Sequence, residues 1–222
     1  MKLPHLSYFY EQDWLVERCV GKRVLHLGCA GDSSLYEGRR ASLHYRVHEV
    51  AASICGVEID ASAAAVMKKV LPESRTNRYV VGSVERLEHL DLDEEYDVIL
   101  AGSIIEHLSE PGRMIAGGAA KMATGGRFLV ATPNCWGLIQ FIRVAARRNE
   151  AIDPQHVAWY SPATLASIFE RAGLAPDEWG TGYGWRTRHR MSAVKRLIGT
   201  GFFRLFPHLG GSLLASFQRP VA

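Results

Sequence analysis

The chain has 222 residues and four cysteines, Cys19, Cys29, Cys55 and Cys135, and no two of them form a C-x-x-C pair. Without such pairs a zinc ribbon or a dense disulfide scaffold is not expected, and the cysteine usage fits a reducing cytoplasm. Also missing is any apolar run near the roughly 18 residues a membrane-crossing helix needs. The opening "MKLPHLSYFYEQDWLVERCV" places acids early and offers no small-residue cleavage site, so it does not read as a secretory leader. Repeats and low-complexity tracts are absent. The net charge of +3 is small, so the overall balance calls for no nucleic-acid partner. One further absence is local. "VLHLGCAGD", residues 24–32, reads as a buried strand entering a glycine turn, but it lacks the third glycine of G-x-G-x-x-G. That counts against a pyrophosphate cradle and a nicotinamide cofactor.

The remaining composition, 47% hydrophobic and 22% charged, is that of an ordinary globular protein with a full core. Strands are expected at Val24–Leu27, "SICGVEID", "RYVVGS", "YDVILAGS", "RFLVATPN", "LAPDEWG" and "SLLASFQRP". Between them helical stretches recur: about 5–20, about 42–52, "ASAAAVMKKVL" stopped by Pro72, "PGRMIAGGAAKMA" and "PATLASIFERAG". This rhythm predicts an α/β fold with a mostly parallel sheet and helices on both faces. Ligands in such sheets lie beyond the carboxyl ends of the strands.

The strand ends therefore carry the candidates. Gly28, Cys29, Ala30 and Gly31 follow the first strand. Glu58 closes an apolar strand, where a carboxylate can accept two hydrogen bonds from a vicinal diol such as a ribose. Asp60 suits an N-cap instead. Ser83 either meets a purine edge or caps the turn that follows it.

With these pieces in place the chain resembles a class I S-adenosylmethionine-dependent methyltransferase, of the kind that tailors small molecules and sugars. The resemblance rests on "VLHLGCAG", "GVEID", "YDVILAGSIIEHL", "GGRFLVATPN" and "HVAWYSPATLASIFERAGL" in order. It implies a three-layer Rossmann-like fold with seven strands, the last antiparallel, in one methyltransferase domain over 1–222. It also implies S-adenosyl-L-methionine as cofactor. Gly28 to Gly31 would lie beside its methionine part, Glu58 and Ile59 at the ribose, and Ser83, Val84 and Glu85 around the adenine, with Gly102 at the mouth. The chain departs from the family where His26 replaces an acid, where Ala30 and Asp32 replace glycines, and where Ser83 replaces an acid.

For chemistry, Glu106-His107 follows the fourth strand, and His107 is the first candidate for a base that takes a hydroxyl proton. His156 in "DPQHVAWYSP" is the second. A metal held by Glu106, His107 and Asp153 is conceivable from composition, but the sequence does not fix its geometry, and none is expected. Asn134, Trp136, Phe141, Tyr160 and Arg186 are the acceptor candidates. An insertion over about 181–210 would add substrate contacts. From Gly182 onward every charged residue is basic, including Arg186, Arg188, Arg190, Lys195, Arg196, Arg204 and Arg219. They lie beside an apolar stripe of Met191, Val194, Ile198, Phe202 and Leu205, which suits an anionic acceptor or peripheral contact with an anionic membrane. O-methylation of a small acceptor is the leading expectation. N-methylation and a non-catalytic, cofactor-binding scaffold are the alternatives, although strand four ends "AGSI" and not in the asparagine-proline-proline-tyrosine run of many N-methyltransferases.

Overall fold

A computed structural model describes residues 4–31, 42–93, 95–146, 153–183 and 201–220. Its strands are β1 (Ser7–Tyr10), β2 (Arg23–Leu27), β3 (Ser53–Glu58), β4 (Asn77–Val81), β5 (Tyr96–Gly102), β6 (Met122–Pro133), β7 (Ala175–Tyr183) and β8 (Ser212–Gln218). They form one eight-stranded sheet in the order β1-β7-β8-β6-β5-β2-β3-β4. Strand β8 is antiparallel to both β6 and β7, and the other pairings are parallel. The helices are α1 (Glu11–Glu17), α2 (Leu43–His48), α3 (Ala61–Val70), α4 (Pro111–Ala120), α5 (Leu138–Ala145) and α6 (Pro162–Glu170).

The central strands are largely apolar because both sheet faces are covered, with His26 of β2 as a buried exception. Their period of two splits each run between two cores. On one face Leu25, Ile99, Phe128 and Phe217 pack under Met114 and Ile115 of α4 and Leu165 and Phe169 of α6. Phe169 stacks on Phe217 with ring centroids 3.8 Å apart. On the other face Val24, Val98, Leu100 and Leu129 meet Trp14 and Leu15 of α1 and Val47 of α2. Each fully buried side chain of this size contributes about 1.5–3 kcal/mol.

The expected seven strands become eight, and the added one, β1, lies inside the 5–20 segment expected to be helical. Tyr8 and Tyr10 alternate with Ser7 and Phe9, and all four pair in register with β7 from Gly180 to Tyr183. Tyr8 stacks on Phe203 at 5.7 Å, and Phe9 packs against Trp14 at 6.3 Å. Pairing with β7, together with aromatic packing against Phe203 and Trp14, here outweighs the helical spacing that Phe9, Trp14 and Cys19 present. Helix α1 keeps the later part of that segment.

Other local expectations hold. Asp60 is the N-cap of α3, accepting from the Ser62 and Ala63 N–H groups. Ser161 and Thr164 form a capping box at α6. Helix α5 was not expected. None of its residues is buried, and Ile139, Phe141, Ile142 and Val144 stand about half exposed or more. Strand β7 takes the first residues of the expected 181–210 insertion; Arg186 and most of the basic stretch lie outside the described residues, as does Asp32. Among the described residues no helix is long and apolar enough to cross a membrane.

Candidate active site

Strand order reverses direction between β2 and β5, so the crevice opens at their carboxyl ends. There Gly28 adopts φ 68°, a left-handed conformation that a side chain would strain. A Cβ at Gly28 would also stand 2.9 Å from the Ile104 side chain. The Gly28 and Cys29 N–H groups both donate to the Val57 carbonyl, at 2.9 and 3.1 Å. Cys29 and Ala30 turn their side chains into a small core with Ala63, Met67 and Tyr79. Burial pushes the Cys29 thiol pKa up, so it is no nucleophile. From Gly28 to Ala30 the loop therefore presents backbone to the crevice.

Glu58 is held at this loop. Its two carboxylate oxygens accept from the Ala30 N–H and the Asp60 N–H, each at 3.1 Å. An ionised carboxylate has about four lone-pair directions, so each oxygen keeps capacity for another donor. Beside it Ile59 is 71% exposed. On the next loop Ser83 caps the 3-10 turn Val84–His89 by accepting from Glu85 N–H at 3.2 Å, and Val84 is buried. Glu85 accepts the Glu110 N–H at the start of α4, so its carboxylate is committed to that helix end. After Gly102, Ser103 is a non-glycine residue at φ 54°, fixed by donating to the Ala131 carbonyl at 2.8 Å. Such strain concentrates at functional turns.

His26, which stands where the resemblance implies an acid, points into the interior. His26 Nδ1 lies 3.1 Å from His44 Nδ1, and His44 Nε2 lies 3.1 Å from Asn77 Oδ1. Asn77 Nδ2 donates to the Leu71 and Pro72 carbonyls, which fixes its oxygen toward His44. His44 therefore donates from Nε2 and accepts at Nδ1, and His26 donates from Nδ1. The imidazole of His44 crosses Gly56 of β3. A Cβ there would meet Cys29 Sγ at 2.6 Å and His44 Cε1 at 2.8 Å, and both are held on all sides. Gly56→Ala is expected to cost about 1–3 kcal/mol by overpacking. A urea midpoint unchanged from wild type would contradict that.

A second group gathers where β5 and β6 end. Glu106 is 1% exposed; its Oε2 accepts from Thr132 Oγ1 at 3.0 Å, while Oε1 is buried without a hydrogen-bond partner among the described residues. Burial raises its pKa to about 7. The 153–160 segment is tied down over it, because the Val157 and Ala158 N–H groups donate to the Glu106 carbonyl at 2.8 and 3.3 Å. That tie brings His156 against His107, ring centroids 4.5 Å apart and planes at 85°. Burial lowers the His156 pKa, and His107 adds to the effect. Ile104, which packs over Gly28, links this cluster to the glycine loop. His156, the second candidate base, thus joins His107, whereas Asp153 accepts from the Gln155 N–H.

Beyond the cluster lies a cleft of about 610 Å³ lined by Cys135, Trp136, Leu138, Phe141, Trp159 and Leu209 among others. Gln140 Nε2 and Trp159 Nε1, on residues that line it, are buried donors without partners among the described residues. Trp136 stands at its edge, and Tyr160 is buried beside Glu106, whose charge helps raise its pKa after desolvation. Asn134 has both amide hydrogens committed within the protein. Its Nδ2 donates to the His208 and Gly210 carbonyls, and its Oδ1 accepts from Trp136 N–H. It fastens the cleft's floor.

Comparison with known proteins places the chain. The profile of a family described as a methyltransferase domain matches residues 12–178. The ubiquinone biosynthesis O-methyltransferase of Nitrobacter winogradskyi is 29% identical over 164 residues, 72% of this chain and 59% of that protein. The matched stretch thus spans less than two thirds of the relative. A putative methyltransferase from Bacillus halodurans superposes with a TM-score of 0.64 at 13% identity, covering 95% of this chain and 99% of the other. The N-methyltransferase NodS from Bradyrhizobium japonicum, in complex with S-adenosyl-L-homocysteine, gives 0.59 at 14% identity, covering 95% and 86%. At these identities the structural likeness concerns the fold.

Proposed function

This chain belongs to the methyltransferase-domain family, and we propose that it methylates the oxygen of a small, largely apolar acceptor held beside Glu106 and His107. The enzyme uses S-adenosylmethionine, and the crevice fits that cofactor. Its glycine loop offers backbone and no phosphate cradle, and Glu58 is fixed beside that loop with lone pairs left for a diol. In this reading Gly28 to Gly31 run along the methionine part, Glu58 takes the ribose hydroxyls, and Ile59 with Ser83 and Val84 flank the adenine. When bound, S-adenosylmethionine supplies a methyl group on a positively charged sulfur. The chain's own task is alignment and proton removal, and alignment carries much of the acceleration in a displacement of this kind.

The observation that carries the oxygen reading is the cluster of Glu106, His107 and His156 at the crevice's end. A hydroxyl must lose its proton to become a good nucleophile, and this cluster is where the proton goes: His107 is the first group for it and His156 the second. The cleft beyond, walled by Trp136, Phe141 and Trp159, suits an acceptor with an apolar body. Its two unpartnered donors, on Gln140 and Trp159, suit an oxygen on that body. The O-methyltransferase relative supports the same reading. Arg186 and the basic stretch would add recognition of negative charge on the acceptor or on a membrane surface.

The test has two parts. Calorimetry should find S-adenosylhomocysteine binding and no NAD binding. A panel of phenolic, sugar and amine acceptors, read by transfer of labelled methyl, should show turnover on hydroxyls; turnover on amines alone would overturn the oxygen reading. With a working acceptor, His107→Ala should lower kcat by roughly 10²-fold or more while S-adenosylhomocysteine affinity holds within about twofold. An unchanged kcat would reduce His107 to packing.

A further inference from the structure

The cluster at the end of β5 has a property that proton transfer does not require. Three donors from two elements converge: Glu106 and His107 from the 3-10 turn Ile105–His107, and His156 from the segment strapped across it. One ligand atom from each lies within 4.8 Å of the others. Two of the side chains hold a buried polar atom that has no partner among the described residues, Glu106 Oε1 and His156 Nδ1. A carboxylate that is 1% exposed does not ordinarily leave an oxygen bare, because an unsatisfied buried acceptor has lost its water without a replacement. Thr132 occupies the other oxygen and sets the direction of the free one.

We propose that Glu106, His107 and His156 form a binding site for a divalent first-row cation, a function that rests on the reading above for its place beside the acceptor. Two imidazoles and one carboxylate form a borderline donor set, which suits zinc, cobalt or manganese better than magnesium or calcium. Metal–ligand bonds of about 2.0–2.2 Å place neighbouring donors roughly 3–4 Å apart, so the present spread closes with small side-chain rotations. Three protein ligands leave coordination positions open, as in catalytic and not structural sites. Those positions suit an acceptor that offers oxygen, best of all two vicinal oxygens, and a cation there makes a bound hydroxyl more acidic. With a cation bound, His107 and His156 serve as ligands in place of taking the proton, which the more acidic hydroxyl releases to solvent, so replacement of His107 still lowers turnover. The Thr132 hydroxyl serves as the outer partner that orients the carboxylate.

The probe is cobalt(II), whose visible bands report its ligands. Protein freed of metal by chelator dialysis should bind one cobalt per chain, with bands of a site that contains nitrogen and oxygen donors, and zinc should displace it. Glu106→Gln and His156→Ala should each weaken cobalt binding by roughly 10²-fold or more, and Thr132→Val by about tenfold. S-adenosylhomocysteine affinity is measured on the same samples. Retained affinity together with lost cobalt binding supports the site. Wild type that binds S-adenosylhomocysteine but gives no cobalt bands at millimolar concentration overturns it and leaves the methyltransferase reading intact. Wild type that binds neither defeats the cofactor crevice as well. Should Glu106→Gln fail to fold, His156→Ala decides, and cobalt bands that are indifferent to it count against the proposal.

Discussion

His44→Gln is expected to lose its stability deficit as the pH falls. Wild type should be the more stable protein at pH 7, and its advantage should shrink by on the order of 3 kcal/mol between about pH 6.5 and pH 4. Burial is the main cause, holding His44 down to about 4; the Asn77 bond opposes that shift and His48 adds to it. His26 is lowered well below its ordinary value, first by burial and then by His44. The geometry says the same. Protonating His44 Nδ1 would set two N–H groups face to face at 3.1 Å. In the unfolded chain each imidazole takes up its proton near pH 6.5. Below that the unfolded state binds protons that the native state refuses, so stability falls with pH until the native group also titrates. Each unit of difference is worth about 1.4 kcal/mol per group. The wild-type curve alone does not isolate this effect. Burial raises the carboxyl pKa values of Glu106 and Glu11, and protonated native carboxyls gain relative stability over the same range. The difference between wild type and His44→Gln removes that background, since the glutamine amide can keep the bond to Asn77. Urea unfolding at several pH values measures it, and nitrogen shifts of His26 and His44 should stay those of neutral tautomers at pH 5. Parallel stability curves for the two proteins, or imidazolium shifts at pH 5, would count against the buried pair.

What the sequence could show depended on whether a feature was local. The apolar stretches 98–101 of β5 and 128–131 of β6 were legible because burial on both faces keeps polar residues out of them. Asp60 and Ser161 were legible as caps because capping is decided within four residues. Strand β1 was not, since its partner is β7, at the other end of the chain, and four residues give too short an alternation to outweigh a helical spacing. The His26–His44–Asn77 chain was invisible for a related reason. It exists because Gly56, on a third strand, lets an imidazole lie across it. In the candidate site, Glu106 and His107 could be picked out from their place after a strand. Which group joined them could not, because His156 arrives through two backbone hydrogen bonds to the Glu106 carbonyl, while Asp153 turns to its own loop. Asn134 illustrates a different blind spot: sequence alone does not show that the carbonyls of His208 and Gly210 take both of its amide hydrogens.

Glu58→Ala should abolish tight cofactor binding, lowering S-adenosylhomocysteine affinity by roughly 30- to 100-fold, or about 2–3 kcal/mol. Two losses add. The carboxylate's charge-assisted bonds to a ribose diol disappear, and so does the anchor for the Ala30 and Asp60 N–H groups, which aims the loop. The fold should survive, because Gly28 and Cys29 keep their bonds to the Val57 carbonyl. Glu58→Gln is the sharper variant. It preserves shape, but its amide must direct NH2 at one of two backbone N–H donors, so one bond becomes a repulsion and half the acceptor capacity is gone. Its affinity should therefore fall nearly as far as that of the alanine variant. Asp60→Ala supplies the contrast two residues away. It removes a helix cap worth about 1 kcal/mol of stability and should leave affinity within about twofold. Calorimetry with S-adenosylhomocysteine and with adenosine alone separates the possibilities. If Glu58 serves the ribose, both ligands weaken in the Glu58 variants and neither weakens in Asp60→Ala. If its role is confined to holding the loop, adenosine should bind the Glu58→Gln variant as well as it binds wild type, and the ribose assignment would then fail.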